Sequence, residues 1–331
     1  MHWLHHWLHE LPPHWQTSTG LTYVLWPLEA LYTMAQSLRR ALYKFGFIQS
    51  HKINATVIVV GNVVAGGGGK TPLTIALVKR LQQQGFQVGV VSRGYGRSQH
   101  QIQMVDTHSS TDQVGDEPLL IFQKCHVPVA VGAQRVDAAR HLLNQHPNVN
   151  IVVCDDGLQH WSLQRDIEIC VMDAMGIGNG HLLPAGPLRE RWPRQVDLLL
   201  HTQHKSLAEG YTSTRQLSEI VTNGWGHTMT LTALAQQKVE VVCGIAKPDA
   251  FVDMLKDRHL QIEQVTALPD HANFSNWQSV HPELNLLCTE KDAVKLWPLN
   301  PEAFAVSLLF EPEIEFWQAF DTLLKARHRY H

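Results

Sequence analysis

Short runs of β-branched and aliphatic residues alternate along the chain with stretches whose apolar positions return every three or four residues. The runs Thr56–Val60, Val88–Ser92, Val127–Val131, Asn150–Cys154, Ile167–Met172 and Leu198–Thr202 read as strands buried on both faces. Between them, Thr71–Gln84, Pro118–Gln123 and Arg135–Asn144 carry the helical period. Strand and helix in alternation predict a mainly parallel sheet covered on both sides, a three-layer α/β/α fold. A second series begins near Val239: strand Val239–Cys243, helix Asp249–Leu255, strand Leu286–Cys288 and strand Ala305–Leu309. It predicts a smaller α/β domain, so the chain divides into an N-terminal segment (1–50), a nucleotide-binding domain (51–235) and a C-terminal domain (236–331).

The first 50 residues follow a different pattern. On a helical wheel Trp3, Leu4, Trp7 and Leu8 fall opposite His2, His5, His6 and His9, and Pro12 and Pro13 end that segment. A second helix is expected from about Pro27, with Leu28, Leu31, Tyr32, Ala35, Leu38 and Leu42 on one side and Arg39, Arg40 and Lys44 near its end. No uninterrupted apolar run is long enough to span a bilayer. Edge aromatics, an apolar stripe and terminal cations suit a helix lying in a membrane interface, and equally a terminal helix packed on its own domain.

Composition narrows the classes. The 331 residues are 44% hydrophobic and 17% charged, which gives an ordinary globular core. A net charge of -3 supplies no basic footprint, so nucleic acid is not an expected partner. The five cysteines show no C-x-x-C spacing and read as reduced, buried thiols. The start lacks the layout of a secretory signal.

The densest chemistry lies where Thr56–Val60 runs into Gly61-Asn62-Val63-Val64-Ala65-Gly66-Gly67-Gly68-Gly69-Lys70-Thr71-Pro72. A buried strand, a glycine-rich turn and Gly-Lys-Thr at a helix start make a phosphate-binding loop: glycines turn backbone N–H groups inward and the helix dipole favours an anion. Gly66, Gly67, Gly68, Gly69, Lys70 and Thr71 are the nucleotide-binding candidates, with Thr71 also a Mg²⁺ ligand. Position 64, glycine in the strict pattern, is Val64.

Asp155 and Asp156 end a fully apolar strand, where carboxylates would hold Mg²⁺ beside that loop, and Gln159 and His160 follow closely. Asp116 and Glu117 open a short helix; one could accept a proton while its neighbour contacts metal, or Asp116 could be a plain helix cap. Arg93 and Arg97 suit a phosphorylated substrate or are surface arginines. His181, Arg189 and Glu190 lie on a Pro/Gly-punctuated loop, and Asp270-His271 would bring an imidazole to an interdomain cleft. Thr289-Glu290-Lys291-Asp292 lacks the spacing of a guanine-recognition motif.

Together these segments resemble the tetraacyldisaccharide 4'-kinase family, the lipid A 4'-kinases of Gram-negative bacteria. The resemblance rests on the loop Gly61–Pro72, Ser92-Arg93-Gly94-Tyr95-Gly96, Val114-Gly115-Asp116-Glu117-Pro118, Val131-Gly132 with Arg135, and Asp155-Asp156-Gly157-Leu158-Gln159-His160. It continues through Leu183–Glu190, Gly244-Ile245-Ala246-Lys247-Pro248 and Thr289–Ala293. It implies a P-loop fold that transfers the γ-phosphate of ATP, with Mg²⁺, to the 4'-hydroxyl of tetraacyldisaccharide 1-phosphate. It also implies a monomer at the cytoplasmic face of the inner membrane. By motif, Lys70 binds phosphates and Asp116 is the base, assisted by His271. Thr71, Glu117, Asp155 and Asp156 serve the metal, and Arg93, Gln159 and Glu190 support the substrate site. Val64 agrees with the family's loop; Lys247 stands where the family often has Asn, and the His-rich start is not a family trait. Two other readings are a metal-delivery nucleotidase using the N-terminal histidines and a non-catalytic, membrane-recruited ATP switch.

Overall fold

The computed structural model describes residues 15–66, 69–99, 101–202 and 209–328. In chain order the elements are α1 (Gly20–Lys44), β1 (Thr56–Gly61), α2 (Lys70–Gln83), β2 (Val88–Ser92), β3 (Gln103–Met104), α3 (Thr111–Val114), α4 (Asp116–Cys125), β4 (Val129–Val131), α5 (Arg135–Gln145), β5 (Ile151–Asp155), β6 (Ile167–Met172) and β7 (Leu198–His201). They continue with β8 (Tyr211–Leu217), β9 (Ile220–Thr222), β10 (Thr228–Thr230), α6 (Leu231–Leu234), β11 (Lys238–Cys243), α7 (Pro248–Asp257), β12 (Gln261–Ala267), β13 (Asn285–Thr289), α8 (Glu290–Leu296), β14 (Phe304–Val306), β15 (Leu308–Pro312) and α9 (Ile314–Arg327).

The larger sheet has strand order β15-β8-β7-β6-β1-β5-β2-β4-β3, parallel from β8 through β4 with antiparallel β15 and β3 at its edges. All six residues of β1 are buried, as a strand covered on both faces requires. Ile58 and Val60 join one core with Leu73 and Leu77 of α2 and Phe316 and Phe320 of α9. Val57 and Val59 face the other core, with Ala138 and Leu142 of α5. β1 pairs with β5 so that Val60 stands opposite Asp155, which puts the acidic strand end beside the glycine-rich loop.

The second sheet has six strands, β10-β9-β14-β13-β11-β12. Its boundaries differ from the expected 51–235 and 236–331 division at both ends. β9 and β10, before residue 236, belong to the smaller sheet. At the other end, β15 and α9 return to the larger one, because Phe310, Phe316, Phe320 and Leu324 are buried in its core. The α8 helix packs along α4, joining the two bodies near the acidic start of α4.

Helix α1 begins at Gly20, about two turns before the expected Pro27. Thr19 and Thr22 form a reciprocal capping box at its start, and Pro27 sits inside the helix. Tyr23, whose carbonyl Pro27 leaves without its helical partner, is exposed like the proline, so the loss falls on the solvent side. The Trp/His segment 1–10 lies outside the described residues.

Candidate active site

The glycine-rich loop is braced from one side by the segment 187–189. Ala65 donates its N–H to the Pro187 carbonyl (2.7 Å), and Arg189 donates to the Val63 carbonyl (2.7 Å). Val64 is buried and bridges to Leu188, so the position that is glycine in the strict motif here supplies packing. Gly69 has φ 88°, a backbone that glycine reaches without strain, and caps α2. Lys70 Nζ donates to the Gly66 carbonyl (3.1 Å) and lies 3.7 Å from Asp156. Gly67 and Gly68 lie outside the described residues. Thr71 occupies the first turn of α2.

Asp155 is buried, and Thr74 donates its hydroxyl to it at 3.1 Å. Burial, reinforced by the negative charge of Asp156, pushes the Asp155 carboxyl up to about 6. Asp156 goes the other way. Burial opposes its charge, but Lys70 and Arg189 outweigh that and hold it below the usual carboxylate range, with Arg189 donating to both oxygens at 2.9 and 3.0 Å. Two adjacent hard carboxylates, one of which meets only a neutral hydroxyl donor among the described residues, fit a divalent cation. Among the described residues no three His, Cys, Asp or Glu side chains form a metal cluster, so such an ion would take its remaining ligands from water and phosphate, as Mg²⁺ prefers. Glu117 lies close enough for its charge to raise Asp155 further.

Asp116 and His271 meet although 155 residues separate them. Just before Asp116, Gly115 lets the chain pass close to the 94–95 backbone: its φ is 91°, and a side chain there would press on the Tyr95 carbonyl. His271, itself at φ 61°, places Nδ1 3.0 Å from Asp116 Oδ2. Lys295 of α8 donates to the same oxygen at 2.9 Å. Burial would raise the Asp116 carboxyl, but the His271 bond and Lys295 reverse this and lower it. Burial likewise opposes charge on His271, and its bond to Asp116 prevails and raises it. Each shift favours the charged form of its group, so the carboxylate and the imidazole reinforce one another across the hydrogen bond. Lys291 stands behind it, 3.2 Å from Glu117 and 2.9 Å from Asp270. The Tyr95 ring packs 5.3 Å from the His271 ring.

Gln159 donates to the Asn62 carbonyl (2.9 Å) and to Glu190 (2.8 Å), tying the phosphate loop to the segment 181–190. Arg194 holds Glu190 at 2.8 Å and lies over Trp161, 4.9 Å from its centroid. Arg93 is exposed; with Arg135 and burial it belongs to the environment that pushes His160 down to about 3, so His160 is neutral. Arg97 donates to the Gln101 carbonyl (2.7 Å) within its own loop. His181 pairs with Glu29 of α1 at 2.9 Å and serves helix docking. Asp292 accepts from Thr289 and the Gly244 N–H, a structural pin. Lys295 escaped the sequence reading, and Lys291 entered it only as part of the Thr289–Ala293 motif, without a role; their four-residue spacing on one helix face was the available signal.

A parallel sheet with a glycine-rich phosphate loop, adjacent acidic strand end and a paired carboxylate defines a P-loop phosphotransferase. The family model "LpxK: Tetraacyldisaccharide-1-P 4'-kinase" matches residues 21–329, and the chain belongs to that family and is a kinase. A tetraacyldisaccharide 4'-kinase of Polaromonas naphthalenivorans (strain CJ2) is 50% identical over 319 residues, covering 94% of this chain and 93% of the relative. One of Acidovorax ebreus (strain TPSY) is 48% identical, covering 94% and 93%. Among solved structures, the "apo" form of LpxK from Aquifex aeolicus in complex with ATP superposes with a TM-score of 0.82 at 26% identity, covering 93% of this chain and all of the other. Family membership stands against the metal-delivery and non-catalytic readings.

Proposed function

We propose that this kinase transfers the γ-phosphoryl group of ATP to the 4'-hydroxyl of tetraacyldisaccharide 1-phosphate, working as a monomer at the cytoplasmic face of the inner membrane. The Asp116–His271 pair, 3.0 Å apart beside the phosphate loop, carries this reading. Both His271 and Lys295 bind Oδ2 of Asp116, which leaves Oδ1 to accept the proton of the acceptor hydroxyl. His271 and Lys295 orient the carboxylate. Lys70 and the N–H groups around Gly69 grip the donor phosphates. Thr71, Asp155, Asp156 and Glu117 would hold Mg²⁺, which neutralises phosphate charge. Gln159 and Glu190 keep the loop in place, and exposed Arg93 is free to meet an anionic acceptor.

The acceptor's acyl chains give α1 a purpose. Its face bearing Glu29, Tyr32 and Gln36 docks on the protein, while Val24 (73% exposed), Leu31 (58%), Met34 (64%) and Leu38 (60%) lie open. No helix among the described residues is long and apolar enough to cross a membrane, and an exposed apolar stripe suits a helix lying in the interface. The test is phosphorylation of tetraacyldisaccharide 1-phosphate in micelles, with the new phosphate located by NMR. A 4'-phosphate made by the wild type and lost in Lys70→Ala supports the reading; no lipid product from the wild type overturns it.

A further inference from the structure

The phosphate loop has a second wall. β5, with Asp155, flanks β1 on one side; β6, β7 and β8 lie in that order on the other. From that other side Arg215 of β8 and Thr202, just after β7, reach Gly69, where even a single added methyl group would overlap Arg215 Nη2 and crowd Thr202 Cγ2. Both carry polar atoms with nothing to bind among the described residues. Arg215 Nε is buried without a hydrogen-bond partner, and so is the Thr202 hydroxyl, in a residue 1% exposed. Burying such groups unpaired is costly, which marks a site shaped for a ligand. The nearby carboxylate does not cancel the arginine: Asp173 is already paired with Lys247 at 2.8 Å. Burial lowers Arg215 and Asp173 only partly opposes it.

We propose that Arg215 and Thr202 bind the phosphates that stay with the nucleotide, so that the donor is held between Lys70 on the β5 side and Arg215 on the β8 side. The acceptor base Asp116 opens α4, which leads into β4, beyond β5 and β2. The transferred group therefore lies toward β5, and Arg215 faces the portion of the phosphate chain nearer the nucleoside. A planar guanidinium suits this role, donating two N–H groups to phosphate oxygens, with the Thr202 hydroxyl adding a third donor. Neither residue falls within the motifs by which the family was recognised. The inference rests on the nucleotide reading above.

The experiment is calorimetric binding of MgADP to the full chain in detergent, with melting curves of each variant without nucleotide. Arg215→Met keeps an unbranched apolar stem and removes the guanidinium, whose central carbon lies 5.9 Å from the Phe310 ring centroid. It is expected to raise the Kd for MgADP about tenfold, with Arg215→Lys recovering part of the loss and the KM for the lipid acceptor unchanged. Thr202→Val keeps the shape and removes the unpaired hydroxyl; it should weaken MgADP binding about threefold while leaving the melting temperature equal or higher. MgADP affinities of the Arg215→Met and Thr202→Val variants equal to the wild type's refute the inference. If Arg215→Met does not fold, Thr202→Val decides alone. A wild type that binds no MgADP sinks the nucleotide reading and this inference together, whereas normal wild-type binding with indifferent variants refutes the inference alone.

Discussion

Asp116 meets His271 and Lys295 on one oxygen, and this asymmetry decides what each partner can contribute. His271 and Lys295 both hold Oδ2, and in the proposed reaction Oδ1 takes the proton. Lys295→Met should therefore lower kcat by about tenfold while the Kd for ATP stays unchanged, with Lys295→Arg retaining more activity. Steady-state kinetics in micelles beside nucleotide titration separates the two quantities. An equal loss of ATP affinity would place Lys295 on the donor side instead. At this scale the sequence was most readable where chemistry is local: Lys70 follows its strand and glycines, and Asp155 and Asp156 end theirs. His271 and Lys295 were less readable, because what gives them meaning is a contact across 155 and 179 residues.

Helix α1 touches the catalytic body through few residues, and those residues lead inward. Glu29 accepts from the Leu182 N–H (2.8 Å) and pairs with His181, while Tyr32 donates to the Arg189 carbonyl (2.9 Å). Arg189 in turn grips Asp156. Glu29→Ala with Tyr32→Phe is expected to lower kcat severalfold, even where vesicle sedimentation shows binding undiminished; unchanged kcat would show that α1 anchors without organising the site. A second element prediction concerns α9, strapped to α2 by Arg80–Asp321 at 2.6 Å with Arg80 over the Trp317 ring. Burial opposes charge on Asp321, but Arg80 and Gln84 together prevail and depress its carboxyl, so its stabilisation is present above the unfolded-state value and lost as pH falls through the folded one. Arg80→Met should lower the melting temperature by about 2 °C at neutral pH, the gap narrowing in acid; a gap that widens in acid contradicts this. Buried strands were legible because they are continuous apolar runs. The edge strand β12 was not, since none of its residues is fully buried and Gln261, Glu263 and Gln264 lie exposed along it.

The whole molecule is organised so that two bodies complete one site: the larger sheet brings the phosphate loop, and the smaller one brings His271, Lys291 and Lys295 to Asp116 and Glu117. The larger body's fold class was legible from strand–helix alternation, whereas the return of β15 and α9 was not, because an apolar segment does not say which core it enters. Removing Mg²⁺ with a chelator should abolish lipid phosphorylation and leave the melting temperature of the nucleotide-free protein within about 1 °C, since the carboxylates already have protein partners. A large fall in melting temperature would assign the ion a structural role. In the proposed reaction Asp116 is the base that joins the two bodies' contributions. Single-turnover transfer of the γ-phosphoryl group to tetraacyldisaccharide 1-phosphate, by wild type and Asp116→Asn at saturating ATP, tests it most directly. A loss of about 10² to 10⁴ in rate with ATP affinity retained is predicted; transfer at the wild-type rate would contradict it.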